Sequence, residues 1–261
     1  MPEPDEVRLT YIGGPTILIE IGGLRLLTDP TFDPPGDYQA GAFTHSKLIG
    51  PVIDASAFAN TDAVLLSHDH HFDNLDRIGR ELLKSAKQVI TTPEAAARLQ
   101  GNTIGLESGQ SHRIAASNGK AVSVTGTPAR HGPAVGERGP VTGFLISTEE
   151  SREAPIYVSG DTVWYEGVEQ TLQQHPHIRL AVLFVGAAQI PALPAHLTFT
   201  AEEAVRVSRA LPQAMIVPVH FEGWRHLKES KEDLTRAFAA AGREDHLLWL
   251  EAGKRSSVAL R

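Results

Sequence analysis

Ala63-Val64-Leu65-Leu66-Ser67-His68-Asp69-His70-His71-Phe72-Asp73-Asn74 is the stretch on which the reading of this chain turns. Four apolar residues, short enough for a buried strand, stop abruptly at three imidazoles and two carboxylates within six positions. Such a segment is too polar for a core and too clustered for an ordinary solvated loop. A strand end fixes the backbone while its side chains face a cleft, and that is where rigid scaffolds present chemistry. Imidazoles and carboxylates gathered at such a point indicate a metal site.

Three other places repeat the arrangement. Val122-Ser123-Val124 leads through Thr127-Pro128-Ala129-Arg130 to His131, Ile156-Tyr157-Val158 leads to Ser159-Gly160-Asp161, and Met215 to Val219 leads to His220. Two divalent ions about 3.5–4 Å apart need six or more ligands and usually share a carboxylate. His68, His70 and His131 suffice for one position. Asp73, Asp161 and His220 suffice for the other, with Asp161 as the bridge. The chain has no cysteine, so thiolate metal sites, disulfides and cysteine nucleophiles are excluded, and any metal is held by nitrogen and oxygen.

A length of 261 residues suits one domain, spanning residues 1–261, with a large core. The net charge of −7 argues against nucleic acid as a partner. The acidic start, Met1-Pro2-Glu3-Pro4-Asp5-Glu6, lacks the apolar segment of a secretory signal, and no apolar run is long enough to span a membrane. The expectation is a soluble cytoplasmic protein acting on a small molecule, alone or as a homo-oligomer. Gly-x-Ser-x-Gly and dinucleotide or phosphate-loop glycine patterns are missing, so no cofactor-binding loop and no serine hydrolase is expected.

Val7–Ile12, Thr16–Ile21 and Leu24–Leu27 read as strands, with a Gly22-Gly23 turn and Pro30 closing the third. Residues 31–60 show little periodicity and read as a long functional loop, a lid or a pocket wall. A helix is expected over 75–86, with Leu75, Ile78, Leu82 and Leu83 on one face. A strand follows at 87–91, then a helix capped by Thr92 with Pro93 at its first position. Strand-like runs recur at 120–127, 141–147, 155–159 and 179–185. The capping box Thr200-x-x-Glu203 opens a helix that ends near Leu211-Pro212. Ala214–Val219 reads as a strand, Ser230–Ala241 as a helix stopped by Gly242, and His246–Leu250 as the last strand. Glu149-Glu150 with Arg152-Glu153 reads as a solvated hairpin tip. Two packed sheets with outer helices satisfy this order.

His-x-His…Asp, a distant His, Gly160-Asp161-Thr162 and a late His220 together resemble the metallo-β-lactamase superfamily, from Ile12-Gly13-Gly14-Pro15-Thr16 to Val219-His220-Phe221-Glu222-Gly223-Trp224. Within it the chain is most similar to the branch of ascorbate-6-phosphate lactonases and N-acyl-phosphatidylethanolamine phospholipase D. The resemblance implies an α/β fold, a four-layer αββα sandwich of two mixed β-sheets flanked by helices. It implies a metal-dependent hydrolase with two divalent ions, zinc first and manganese or iron as alternatives. A metal-activated hydroxide would attack a phosphodiester, lactone or related ester or amide, with Asp73 orienting it. It also implies that His196, just before the capped helix, is an active-site histidine. The rival expectations are a non-catalytic or single-metal binding protein on the same fold, and an iron-dependent redox protein.

The chain departs from the family at its densest point. The usual His-x-His-x-Asp-His gains one residue here and ends in Asn74, so either His70 or His71 is the second ligand of the group. An amide oxygen is a far weaker zinc ligand than imidazole. Gly14-Pro15 stands where many relatives carry a histidine. His45, His112, His175, His177, His226 and His246 have no partner at ligand spacing and read as structural or surface histidines, with a pocket wall as the alternative for His45, which lies in the long loop. Asp29 is expected to bond turn amides and orient a ligand from behind. Trp164, Tyr165, Arg130 and Arg225 are candidate cleft residues.

Overall fold

In the computed structural model, which describes residues 6–40, 43–149, 151, 154–191, 193 and 195–260, the apolar runs become strands buried on both faces. The first half runs β1 (Glu6–Gly13), β2 (Thr16–Ile21), β3 (Leu24–Thr28), β4 (Gly36–Ala40), β5 (Phe43–Lys47), β6 (Ala63–Leu65), α1 (Arg77–Leu83), β7 (Val89–Thr91), α2 (Pro93–Leu99) and β8 (Thr103–Gly105). The second runs β9 (Ser111–Ala115), β10 (Ala121–Pro128), β11 (Thr142–Thr148), β12 (Ile156–Val158), α3 (Glu166–Gln174), β13 (Leu180–Phe184), α4 (Ala201–Ala210), β14 (Met215–Val219), α5 (Lys231–Ala240) and β15 (Arg255–Ala259). Among the described residues these strands form a seven-stranded sheet in the order β15-β1-β2-β3-β6-β7-β8 and a six-stranded sheet in the order β14-β13-β12-β11-β10-β9. The expected start at residues 1–5 and the hairpin-tip residues Glu150, Arg152 and Glu153 lie outside the described residues.

The strand periodicity assigns each side chain to a layer. In β2, Ile17, Ile19 and Ile21 face a central core shared with Val122, Val124, Phe144 and Val182 of the other sheet. Leu18 and Leu27 point the opposite way, into a cluster with Leu75, Leu82 and Leu83 around α1. In β13 the same split sends Leu180, Val182 and Phe184 to the centre and Ala181 and Leu183 outward to α3, α4 and α5. Strands buried on both faces need helices outside each sheet, and the result is the expected αββα sandwich.

Strand direction places the site. β3 and β6 are parallel, as are β12, β13 and β14. β10 and β12 are each antiparallel to β11 and so point the same way. Within each sheet, then, the strand ends that carry chemistry share one edge: Asp29 and Ser67 to Asn74 on the first sheet, and His131, Asp161 and His220 on the second.

Several elements differ from expectation. Residues 31–60 are not all loop: β4 and β5 pair as an antiparallel hairpin, and Ala55–Phe58 is a 3-10 turn. The helix expected at 75–86 is shorter, because Asp76 caps it by accepting from Gly79 N. Ile78, in its first turn, is 41 % exposed rather than on the buried face. The strand expected at His246–Leu250 begins with a 3-10 turn over Glu244–His246. Leu248 and Leu250 do pack inward and Leu247 and Trp249 outward, so the alternation is real. That segment makes one bridge, Ile216 with Leu247, and no ladder. The last strand is β15, which pairs with β1 and was not anticipated, because within it only Val258 is buried and it opens on the polar run Arg255-Ser256-Ser257.

Candidate metal centre

Asp29 begins the site. It follows β3 with φ at 22°, a conformation that L residues rarely hold unless their surroundings impose it. Its fully buried carboxylate accepts from Ser67 N at 2.6 Å and from Ser67 Oγ at 2.8 Å. Burial raises its pKa to about 7, against the pull of those bonds. Since the Ser67 hydroxyl donates to Asp29, it is left to accept from His68 Nδ1 at 2.8 Å. His68 therefore turns a lone pair on Nε2 toward the cleft. Asp29 is the orienting group behind the ligands that the sequence suggested.

His131 reaches the same point from the second sheet. Its Nδ1 donates to the Leu197 carbonyl at 2.8 Å, which leaves Nε2 as an acceptor. His68 Nε2 and His131 Nε2 each lie 3.0 Å from His71 Nδ1. Nitrogens bound to one tetrahedral ion at 2.0–2.1 Å are about 3.4 Å apart, so three imidazoles converge here at nearly ligand spacing. Burial pushes His71 down to about 2, His131 to about 4 and His68 well below the usual imidazole range. They are thus neutral and fit to bind a cation. His70 is turned away: its Nε2 bonds the Arg138 carbonyl at 2.7 Å, and its side chain is the more exposed of the two. Donor atoms of His68, His70 and His71 all lie within 4.8 Å of one another, and of the two alternatives left by the inserted residue it is His71 that also reaches His131.

Beside this group, donor atoms of Asp73, Asp161 and His220 lie within 4.8 Å of one another, and all three residues are buried. His220 Nε2 is 3.5 Å from Asp73 Oδ2 and 3.7 Å from Asp161 Oδ1, while Asp161 Oδ2 is 3.6 Å from His131 Nε2. Asp161 stands between the two clusters, where a bridging carboxylate belongs. His220 holds φ at 57°, with its backbone N donating to Gly14 O at 2.7 Å. Burial and the neighbouring Asp73 push Asp161 well above the usual carboxylate range. Burial would also raise Asp73, but His226 and His220 hold it well below.

The donor set fits a cation pair. Asp161 Oδ1 and both ring nitrogens of His220 are buried without a hydrogen-bond partner. Each such group costs about 1–3 kcal/mol unless something satisfies it. Neutral imidazoles and carboxylates offer more lone pairs here than there are N–H donors to satisfy them.

The structure also corrects the candidate set. His196 does not join this cluster. Its Nε2 pairs with Glu203 Oε1 at 3.2 Å, and it lines a separate surface cleft with Arg206 and Arg209. Arg130 stacks on Tyr165 at 4.4 Å and Arg206 on Trp164 at 4.1 Å, so that chemistry is spent on the outer helices. The metal cleft, about 370 Å³, is lined instead by Phe43, His45, Arg138, Ile190, Leu197 and His226 along with the cluster residues. His226 Nε2 lies 2.8 Å from Asp73 Oδ2, and His45 Nδ1 lies 3.9 Å from Asp73 Oδ1. Sequence reasoning set His226 aside and held His45 only as a pocket-wall alternative. Phe221-Glu222-Gly223-Trp224, just after His220, was the one available hint for His226, since a loop leaving a ligand can fold back over it.

This geometry has counterparts. The chain is 24% identical to the UPF0173 protein YddR of Bacillus subtilis over 95% of its own length and 98% of that protein. It is also 24% identical to the UPF0173 metal-dependent hydrolase PAE2160 of Pyrobaculum aerophilum, covering 91% and 94% of the two chains. The crystal structure of isothiocyanate hydrolase from Delia radicum gut bacteria superposes with a TM-score of 0.80 at 22% identity, over 97% of this chain and 99% of that one. No helix among the described residues is long and apolar enough to cross a membrane. Residues 24–221 match the family model described as the Beta-lactamase superfamily domain, a span that includes every strand end carrying the site, and the chain belongs to the metallo-β-lactamase superfamily.

Proposed function

We propose that the protein is a metal-dependent hydrolase of small esters, with a monoanionic phosphodiester or a lactone as substrate. One observation carries the reading: the imidazoles of His68 and His131, each 3.0 Å from His71 Nδ1, adjoin the group Asp73–Asp161–His220 at Asp161, whose Oδ1 is buried without a partner, as are both ring nitrogens of His220. The first would hold one divalent ion and the second another, zinc being the best match to a nitrogen-rich set. When bound, the pair supplies a nucleophile from water near neutral pH and positive charge where the substrate oxygen gathers electrons. Relatives named as metal-dependent hydrolases support the same class.

This chain's own residues do the rest. Ser67 and Leu197 hold His68 and His131 in the tautomers that face the cleft. Asp73 lines the cleft and is held ionised, so it can accept a proton's hydrogen bond from the attacking water and orient it. Phe43, Ile190 and Leu197 offer an apolar wall, and Arg138 is the cation among the lining residues. With Glu137 beside it in the lining, that guanidinium leaves the wall without net charge, which favours an uncharged lactone or a monoanionic phosphodiester over a phosphomonoester dianion. His196, bonded to Glu203 away from this cleft, has no part in the step.

The test is a substrate panel on protein reconstituted with Zn2+ or Mn2+: a bis-aryl phosphodiester, a simple lactone, an aryl ester, an aryl amide and an aryl phosphomonoester. Turnover of the first or second, lost on chelation and in His131→Ala, is the expected result. Reconstituted protein that holds under one ion per chain, or that turns over none of the panel, sinks the reading.

A further inference from the structure

Asn74 stands where the family has its fourth clustered histidine, and its amide does not replace it. Its Nδ2 donates to Asp29 Oδ2 at 3.4 Å, and its buried Oδ1, which has no hydrogen-bond partner, is an amide oxygen and a far weaker zinc ligand than imidazole. The Asp73–Asp161–His220 position therefore has one imidazole, where the other position has three. The missing nitrogen has an evident source across the cleft. His226 Nε2 lies 2.8 Å from Asp73 Oδ2, and the side chain is only 10% exposed.

The backbone holds His226 there. The segment after His220 turns through Gly223 and returns along β5. Leu48 N donates to Gly223 O at 2.7 Å, Arg225 N donates to Ser46 O at 3.0 Å, and Lys47 bridges Trp224 in antiparallel fashion. That register sets His45 opposite His226, and their rings lie 6.0 Å apart. His45 Nδ1 is buried and has no hydrogen-bond partner. Gln189 N closes the other side by donating to His226 O at 2.9 Å. Asp73 is thus ringed by His45, His220 and His226, from β5 and from the two ends of one loop. A surface histidine would not be pinned on both sides and aimed at a ligand carboxylate.

We infer that His226 is the imidazole ligand of the second ion, supplied from the loop after β14 in place of the histidine lost at Asn74. The inference rests on the two-metal reading above. On binding, the ion takes the place of the hydrogen between His226 Nε2 and Asp73 Oδ2, and the neutral ring carries its one proton on Nδ1 instead.

The experiment counts ions rather than turnover. Chelated full-length protein is titrated with Co2+ and followed by its visible absorption, and Zn2+ content is measured by mass spectrometry after equilibration. Wild type is expected to bind two ions and His226→Ala one, the second weakened by more than about 100-fold, since removing a group that merely orients a ligand costs 10–100-fold. Retention of the first ion shows that the variant is folded. In His226→Ala/Asn74→His the second ion returns. Two ions in His226→Ala with affinity within about tenfold of wild type overturn the inference, as does loss of the second ion in Asn74→Ala but not in His226→Ala. A wild type that holds one ion overturns it while leaving metal dependence intact; a wild type that holds none overturns both.

Discussion

Ser67 shows how much of the centre is decided by a residue that touches no ion. Its hydroxyl is fixed by Asp29 and in turn fixes His68, so it sets which imidazole nitrogen faces the cleft. Ser67→Ala is expected to lower Zn2+ affinity by about 10–100-fold, measured by competition with a chelating dye, while the far-ultraviolet circular dichroism stays the same. Affinity within twofold of wild type would mean that the hydroxyl does not orient the ring. His68, His131, Asp161 and His220 were legible in the sequence because each follows an apolar strand run, a purely local signal. His226 and His45 were not. What makes them part of the site is a backbone pairing between positions nearly 180 residues apart, and neither sits at ligand spacing from anything near it in sequence. The inserted residue left His70 and His71 equivalent on paper; the Arg138 carbonyl separates them in space. His196 lies apart from the cluster for the opposite reason. The capping box beside it is real, but Glu203 at its third position draws the imidazole toward α4 and away from the cleft.

At the scale of elements, local chemistry predicted starts better than lengths. Thr92 before Pro93 and the Thr200–Glu203 box cap α2 and α4 as expected, because a cap is an interaction between near neighbours. The hairpin β4–β5 was hidden inside what looked like a loop. Its polar faces follow no simple alternation, and what orders it is tertiary: Tyr38 stacks on Phe72 at 4.7 Å and Lys47 Nζ bonds Asp76 Oδ2 at 3.1 Å. α1 was expected to be longer, and its docking depends on a feature that periodicity does not show. Gly79 lies so close to the loop after β3 that an added Cβ would collide with the Pro30 carbonyl oxygen. The obstacle is backbone, so the helix must shift. Gly79→Ala is expected to destabilise the fold by about 1–3 kcal/mol despite the better helix propensity of alanine. Denaturant unfolding measures this, and an unchanged or raised midpoint would refute the close approach. The same shift would carry Asp76 and, through it, Lys47 and the hairpin that bears His45.

Across the whole molecule, the candidate ligands divide between the sheets. His68, His71 and Asp73 follow β6 of one, whereas His131, Asp161 and His220 follow β10, β12 and β14 of the other. The sheets are already joined by a continuous apolar core, and the layer order was legible because central strands such as β6, β12 and β13 are buried on both faces. An ion held by both would nevertheless lock their shared edge, and an unfolded chain cannot present ligands that lie so far apart in sequence. Binding then favours the native state by mass action, by about 4 kcal/mol at a free ion concentration a thousand times Kd. For a chain of this size each kcal/mol moves Tm by roughly 2–4 °C, so Zn2+ at that concentration is expected to raise Tm of the chelated protein by roughly 8–16 °C. His131→Ala removes a ligand contributed by the second sheet, and most of that rise should disappear with it. Thermal unfolding followed by circular dichroism, with and without Zn2+, measures both. Coincident melting curves for chelated and Zn2+-loaded wild type would show that no ion joins the sheets, and the buried, unpartnered atoms of Asp161 and His220 would then need some other explanation.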